Sequence, residues 1–480
     1  MAWCSKTAME MLSNAVLSDV VSRSVSFLLA KKREKQTTAA AQEGLLRRLC
    51  HLLLRSGTIV EEAERRHVTS PAMLRQLESL RNETLRGYYV LDAIRCQAAP
   101  RGADDGRKDE DEDDDEAAAV MSRHVFALST FNPANYPPLH QQPYSAHLFI
   151  DRCMFGRHME KERVMEFLLQ TEEPPGAAAA ATTTTLGVLP IVGPAHIGKS
   201  TLVEHVCCDE RVRDHFSLIL FYTRNDLKDE AVTSFRDNCV IRHRNEEAVG
   251  KKKKKLLIVI ELLEDVNEET WSRLLHHSSK GSMPKGSRMI VTSRSEKIAR
   301  LGTTPALRLK CLPIEAYWYF FRTVLFGSDD PGQYPELASL AMEMANLMQG
   351  SFMFANVVGA VVLRENFSAR SWRRALWRTR EYMAKNVSLF GEYPDDIKPT
   401  SWDRPRVTWS IVQERPDKYC MLYDIYERGS QEEVPEIPFS DMLARCAHPR
   451  GEYEILFWKS RIPPYRSYVC KCEIRDMSAS

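Results

Sequence analysis

Apolar residues at helical spacing dominate the first hundred positions. Leu45, Leu49, Leu52 and Leu53 recur three and four apart, and Leu74, Leu77, Leu80, Leu85, Tyr88 and Leu91 run along one side of a later segment. That period predicts amphipathic helices from about Thr7 to Ala98, which bury their stripes against one another as a bundle. Ser70-Pro71 offers an N-cap and then a proline at the first helical position, so the last helix, long and amphipathic, should begin there. From Leu186 the pattern changes. Short β-like runs at 186–192, 218–222, 256–260 and 289–292 alternate with helical segments as far as about Ser295, which predicts a parallel sheet with crossover helices. Helical spacing returns from Pro335 to Ala384. Beyond Pro394 the prolines and alternating runs such as Tyr453, Ile455 and Phe457 predict a mostly β tail, in which Trp458, Tyr465 and Tyr468 are expected to be core residues.

Three polar stretches punctuate this pattern. Asp109 to Glu116 is wholly acidic; it repels itself and has nothing to bury, so it reads as a solvated linker. Pro174-Pro175-Gly176, an alanine run and Thr182 to Thr185 form a low-complexity piece just before the first strand, as a tolerated loop insertion would. Lys251 to Lys255 precedes a buried strand, where charge keeps an edge from aggregating.

Composition narrows the class. The 480 residues are 44% hydrophobic and 27% charged, as in ordinary globular chains. A net charge of +1 gives no overall field toward DNA or an acidic membrane, so no specific nucleic-acid partner is expected. The longest apolar stretch, around Phe352 to Leu363, is too short to span a bilayer, and the start of the chain lacks the order of a secretory signal. Twelve scattered cysteines without a Cys-x-x-Cys read as free thiols in a reducing compartment. The expectation is a cytoplasmic protein with no transmembrane segment, a nuclear location remaining open.

The chemistry concentrates at Gly193, Pro194, Ala195, His196, Ile197, Gly198, Lys199 and Ser200. This satisfies G-x-x-x-x-G-K-[ST], and it follows an apolar strand and opens a helical segment, the context a phosphate-binding loop requires. Glycines let successive N–H groups turn inward, and the following helix presents its positive end to phosphate. Lys199 would reach the β and γ oxygens of ADP or ATP, Ser200 would offer its hydroxyl to Mg²⁺, and Thr201 would support the site as the helix begins. The metal also needs a carboxylate from a second strand. Glu261 ends the run 256–260, while a small shift would offer Glu264 or Asp265 instead. Leu262 stands where a second acid would orient an attacking water, so hydrolysis should be slow or absent. Arg294, just after the run 289–292, lies where ligands of open α/β sheets bind and is a candidate sensor of the γ-phosphate.

Taken in order, these features resemble the NB-ARC module of plant nucleotide-binding leucine-rich-repeat disease-resistance proteins. Met154-Phe155-Gly156-Arg157 with Glu160-Lys161-Glu162 resembles the segment near the adenine, Gly286 to Arg294 the sensor strand, and Leu309 to Gly327 the link to a helical lid. Thr7 to Ala98 is similar to the family's Rx-type coiled-coil domain. The resemblance implies a multidomain α/β fold: a helical bundle over 1–98, an acidic linker over 99–145, a P-loop nucleotide-binding domain over 146–328, a helical lid over 329–393 and a β-rich tail over 394–480. It also implies an ADP/ATP-binding switch or helper in plant defence, with Phe155 near the base, signalling proteins or other immune receptors engaged through the bundle, and homo-oligomerisation as an option. Departures stand beside the matches. Glu261-Leu262 replaces two aspartates, Gln349-Gly350-Ser351-Phe352 replaces a Gly-Leu-Pro-Leu motif, no Met-His-Asp signature is identifiable, and no leucine-rich period follows Ala384. An atypical member without the repeats is therefore expected, with a slow P-loop ATPase or a nucleotide-free scaffold as the alternatives.

Overall fold

The computed structural model describes residues 17–27, 29–30, 39–65, 71–98, 155–170, 186–194, 196–222, 240–244, 255–262, 271, 284, 286–327, 329–363, 367–390, 409–412, 418–428, 433–439, 450–459 and 467–476. The acidic run, the insertion at 174–185, Lys251 to Lys254, Ala195, Glu264, Asp265 and Tyr465 lie outside them.

Two long helices, α1 (Ala39–Arg65) and α2 (Pro71–Ala98), pair through the leucine stripes anticipated above, and α2 begins at its proline. Their buried residues do not close on each other alone. Leu49, Leu53, Leu85, Tyr88, Leu91 and Ile94 share one apolar core with α6 (Ile314–Phe326), α7 (Pro335–Leu347) and α9 (Ala369–Phe390). Between α7 and α9 runs a single α-helical turn, α8 (Phe352–Phe354), which continues as π-helical turns over Ala355–Leu363.

The central sheet carries β1 (Gly187–Val192), β2 (Leu218–Tyr222), β3 (Val240–Arg244), β4 (Leu256–Glu261), β5 (Arg288–Ser293) and β6 (Leu307–Arg308) in the order β3-β2-β4-β5-β1-β6. Five of these strands run parallel, and both sheet faces are buried, so the runs read as near-continuous apolar stretches. On one face lie α3 (His158–Leu169), α4 (Lys199–Cys207) and α5 (Glu210–His215). On the other lie Trp271 and a 3₁₀ turn, Glu296–Leu301. The sequence reading missed β3 and β6. The first is an antiparallel edge strand, Val-Ile-Arg-His-Arg, with Ile241 exposed; the second is two residues long. Neither carries enough apolar pattern to be seen.

Pro190 sits inside β1, where a proline would ordinarily cost a ladder bond. Val188 and Val192 accept hydrogen bonds on the β6 side, from Thr303 and Leu309, so Pro190 turns its N toward that side as well. Pairing with β6 begins only at Ile191, and no bond is forfeited.

A second sheet, entirely antiparallel, forms from β7 (Trp409–Val412), β8 (Lys418–Arg428), β9 (Gly451–Lys459) and β10 (Ser467–Asp476), in the order β7-β8-β10-β9. The mostly β character expected of the tail is observed. Its inner face, with Ile455, Phe457, Tyr468, Cys470, Cys472 and Ile474, closes over Phe439 and over Met353 and Val357 of the α8 segment.

Candidate functional site

Strand β1 leaves the sheet between β5 and β6, where successive connections run off in opposite directions, the crevice position for ligands of open α/β sheets. The loop that follows is held by backbone geometry. The Gly193 N–H donates to Ser293 at 3.3 Å, and a Cβ built on Gly193 would lie 2.6 Å from the Leu309 carbonyl oxygen, so no side chain fits there. His196 (φ 54°) and Gly198 (φ 89°) both take left-handed conformations, curling the loop around buried Ile197. Gly198 also caps α4, whose first residues are Lys199 and Ser200.

The charged and hydroxyl groups converge here. Lys199 folds back over the loop and donates to the carbonyls of Gly193, at 2.8 Å, and Pro194. The Ser200 hydroxyl donates to Oε1 of Glu261 at 2.6 Å. Glu261 is the last residue of β4, pairs with Thr292 of β5, and is followed by buried Leu262, whose N–H is tied to Thr292 at 2.8 Å. Arg294 comes one residue after the Val192–Ser293 pair, beside the start of the loop. Of the three carboxylates left open in the sequence, Glu261 is the one seen beside Ser200; Glu264 and Asp265 are outside the described residues. Thr201 follows in the first turn of α4, partly exposed.

Two further features fit a nucleotide. The left-handed turns at His196 and Gly198 curl the backbone as an anion-binding loop requires, and a hydroxyl beside a carboxylate is a hard oxygen donor set suited to Mg²⁺. Phe155 lies apart from the loop but is wired to it through its turn. The Arg157 guanidinium donates to the carbonyls of Lys310 at 2.6 Å and Ile197 at 3.4 Å and pairs with Glu160 at 3.2 Å, joining the segment before α3 to the loop and to the strand end after β6. The Phe155 ring is parallel to that of Tyr319, with centroids 6.2 Å apart, and tilted against Phe320 at 5.7 Å. Phe320 in turn meets Phe352 edge to face at 4.8 Å, and Phe352 lies 3.8 Å from the position a Gly198 Cβ would take. An aromatic wall thus runs from Phe155 to the edge of the phosphate loop.

Sequence reasoning missed most of that wall. Arg157, Phe352, Tyr319 and Phe320 all fell inside the segments that carry the resemblance, but none was given a role at the base. The only available signal was the density of aromatics in Tyr317 to Phe321.

The loop also touches the lid. The Phe352 N–H donates to the His196 carbonyl at 3.1 Å, and the Tyr317 hydroxyl donates to the Ser351 carbonyl at 2.7 Å. Just before them, Gln349 (φ 48°) and Gly350 (φ 90°) turn the chain sharply. Where the resemblance puts a proline, this chain uses two left-handed residues to bring Ser351 and Phe352 to the loop. Among the described residues no helix is long and apolar enough to cross a membrane, and no cluster of His, Cys, Asp or Glu could hold a metal by itself.

The NB-ARC domain matches residues 158–330. Putative disease resistance RPP13-like protein 1 of Arabidopsis thaliana is 24% identical over 379 residues, which cover 70% of this chain and 34% of that protein. Disease resistance protein RGA2 of Solanum bulbocastanum is 24% identical over 232 residues, 46% of this chain and 23% of the relative. The chain spans about a third or less of the length of these relatives. Among solved structures, Drosophila ORC bound to DNA aligns over 63% of this chain and 81% of that one at 10% identity, with a TM-score of 0.31. The chain carries an NB-ARC domain, within a sequence similar to the plant disease resistance proteins.

Proposed function

We propose that this chain is an adenine-nucleotide switch of the plant-defence type, whose output depends on which nucleotide occupies the loop rather than on rapid turnover. The observation that carries the reading is the union of Lys199, Ser200 and Glu261 at the carboxyl ends of β1 and β4. Lys199 exchanges its loop carbonyls for β and γ oxygens, Gly193 and Gly198 let the backbone N–H groups face phosphate, and Phe155 with the neighbouring aromatic wall receives the base. Ser200 and Glu261 would hold Mg²⁺, which would supply charge neutralisation at the phosphates. Arg294 is poised to distinguish ATP from ADP. Leu262 removes the second carboxylate that would orient a water, which supports occupancy over hydrolysis.

The names of the relatives support a role in disease resistance, and the N-terminal helices are the element we assign to signalling partners, with homo-oligomerisation as an accompanying step. The experiment compares steady-state ATP hydrolysis with nucleotide release in the same preparation. A switch gives turnover no faster than release. Turnover well above the release rate of ADP would replace this reading with that of a P-loop ATPase, and absence of binding would leave a scaffold.

A further inference from the structure

His196 is an unusual occupant of its position. A non-glycine residue in the left-handed region is disfavoured by about 1 kcal/mol or more, so the surroundings must hold it. Two contacts do. Its carbonyl accepts the N–H of Phe352, and its ring meets the Tyr468 ring edge to face, with centroids 5.8 Å apart and planes at 87°. Tyr468 comes from β10, about 270 residues along the chain by the numbering. It is buried, packs against Trp458 at 5.8 Å, and belongs to the apolar cluster that seats the tail sheet on Met353 and Val357. Met353 follows directly on Phe352, the residue tied to the loop, and Val357 lies in the π-helical turns that continue from it. The phosphate loop, the α8 segment and the tail sheet therefore meet at one point, and the loop side chain seen against Tyr468 belongs to a residue in the left-handed conformation.

We propose that Tyr468 is a positioning residue of the nucleotide site: through the His196 ring it holds the phosphate loop in its curled form, so the tail sheet governs how long a nucleotide stays bound. Edge-to-face pairs contribute about 0.5–1.5 kcal/mol beyond burial. The coupling is reciprocal, so whatever the sheet does for the loop an occupied loop does for the sheet. This rests on the nucleotide reading above for its functional half only; the latch between loop and sheet stands on the contact itself.

The test uses the full chain and two readouts. One is the release rate of a fluorescent ADP analogue, and the other is amide hydrogen exchange in β9 and β10 with and without ADP. Tyr468→Ala should speed release about two- to tenfold, and Tyr468→Phe, which keeps the ring, should restore the wild-type rate. His196→Gly relieves the backbone while removing the ring, leaves the tail sequence intact, and should speed exchange in β10 even without nucleotide. In the His196→Gly background, Tyr468→Ala should add nothing further to release, an outcome that a general loosening of the tail does not give. Equal release from wild type and Tyr468→Ala, or additive effects of the two substitutions, overturns the proposal. If wild type binds no nucleotide, the functional reading fails, and exchange in nucleotide-free His196→Gly still decides the latch: unchanged β10 protection refutes it.

Discussion

Two charged groups in this molecule are held in opposite ways. At the phosphate loop, Lys199 is partly exposed and satisfied by two backbone carbonyls that any phosphate can displace. At the junction of α2 and α6, Asp92 is 2% exposed and accepts from Arg322 at 2.7 Å and from the Trp318 indole at 2.9 Å. The Arg322 guanidinium lies over both the Tyr88 and Tyr319 rings, 5.4 and 5.3 Å from their centroids. The loop keeps its charge available by lending it weak, replaceable partners. The junction encloses its charge, so changing partners there means exposing a buried ion. On the proposed function one region is built for exchange and the other to stay put, and Tyr319 of the junction also stacks on Phe155.

This contrast can be broken most sharply at Asp92. Replacing it with Ala leaves Arg322 without its carboxylate and should cost about 3–5 kcal/mol, read by urea unfolding followed at Trp318. A cost below about 1 kcal/mol would mean the junction is solvated and as replaceable as the loop.

Lys199→Ala should do the reverse. The fold should stay intact, because the side chain is partly exposed and donates to carbonyls of its own loop, while nucleotide affinity falls about ten- to a hundredfold, as measured by titration calorimetry. Loss of stability comparable to that of Asp92→Ala would remove the distinction between the two regions. Glu261→Gln should have a smaller and conditional effect, lowering affinity about tenfold in Mg²⁺ and little in EDTA. An equal loss in both conditions would show that Glu261 serves the fold rather than a metal.

The smallest effect concerns His205 on α4, whose ring lies 3.4 Å from Lys161. Burial, reinforced by the Lys161 charge, pushes its pKa down from 6.5 to about 4. The unfolded chain takes up a proton near pH 6.5 and the folded one only near 4, so the unfolded state binds more protons within that window. Stability should therefore be undiminished by this group above about pH 6.5 and fall as the pH drops toward 4. His205→Gln should flatten that decline in thermal melts; an unchanged pH profile would show that the ring already titrates freely in the folded protein.

What the sequence disclosed, and what it hid, follows from the range of the interactions. The loop from Gly193 to Ser200 is local chemistry, since glycine spacing, a lysine and a hydroxyl must fall at set offsets, and the strands on either side announce themselves as apolar runs. Glu261 was half legible: its strand was visible, but its place beside Ser200 shows only in the hydrogen bond that joins them. The junction was not legible at all. Asp92 and Arg322 are 230 residues apart, and in isolation each looks like a surface charge on an amphipathic helix. Tyr468 was read as a core residue and is one, yet its contact with His196 depends on how the tail sheet seats on Met353 and Val357. The polar edge strand β3 and the two-residue β6 were missed because a strand without apolar alternation leaves no period to detect.

The account turns on occupancy of the phosphate loop. The most direct measurement is the identity and amount of nucleotide released on denaturing the purified chain, wild type beside Lys199→Ala. The account predicts close to one adenine nucleotide per wild-type chain, chiefly ADP, and almost none from the variant. A wild-type chain that releases none and shows no thermal shift with added ADP and Mg²⁺ would contradict it.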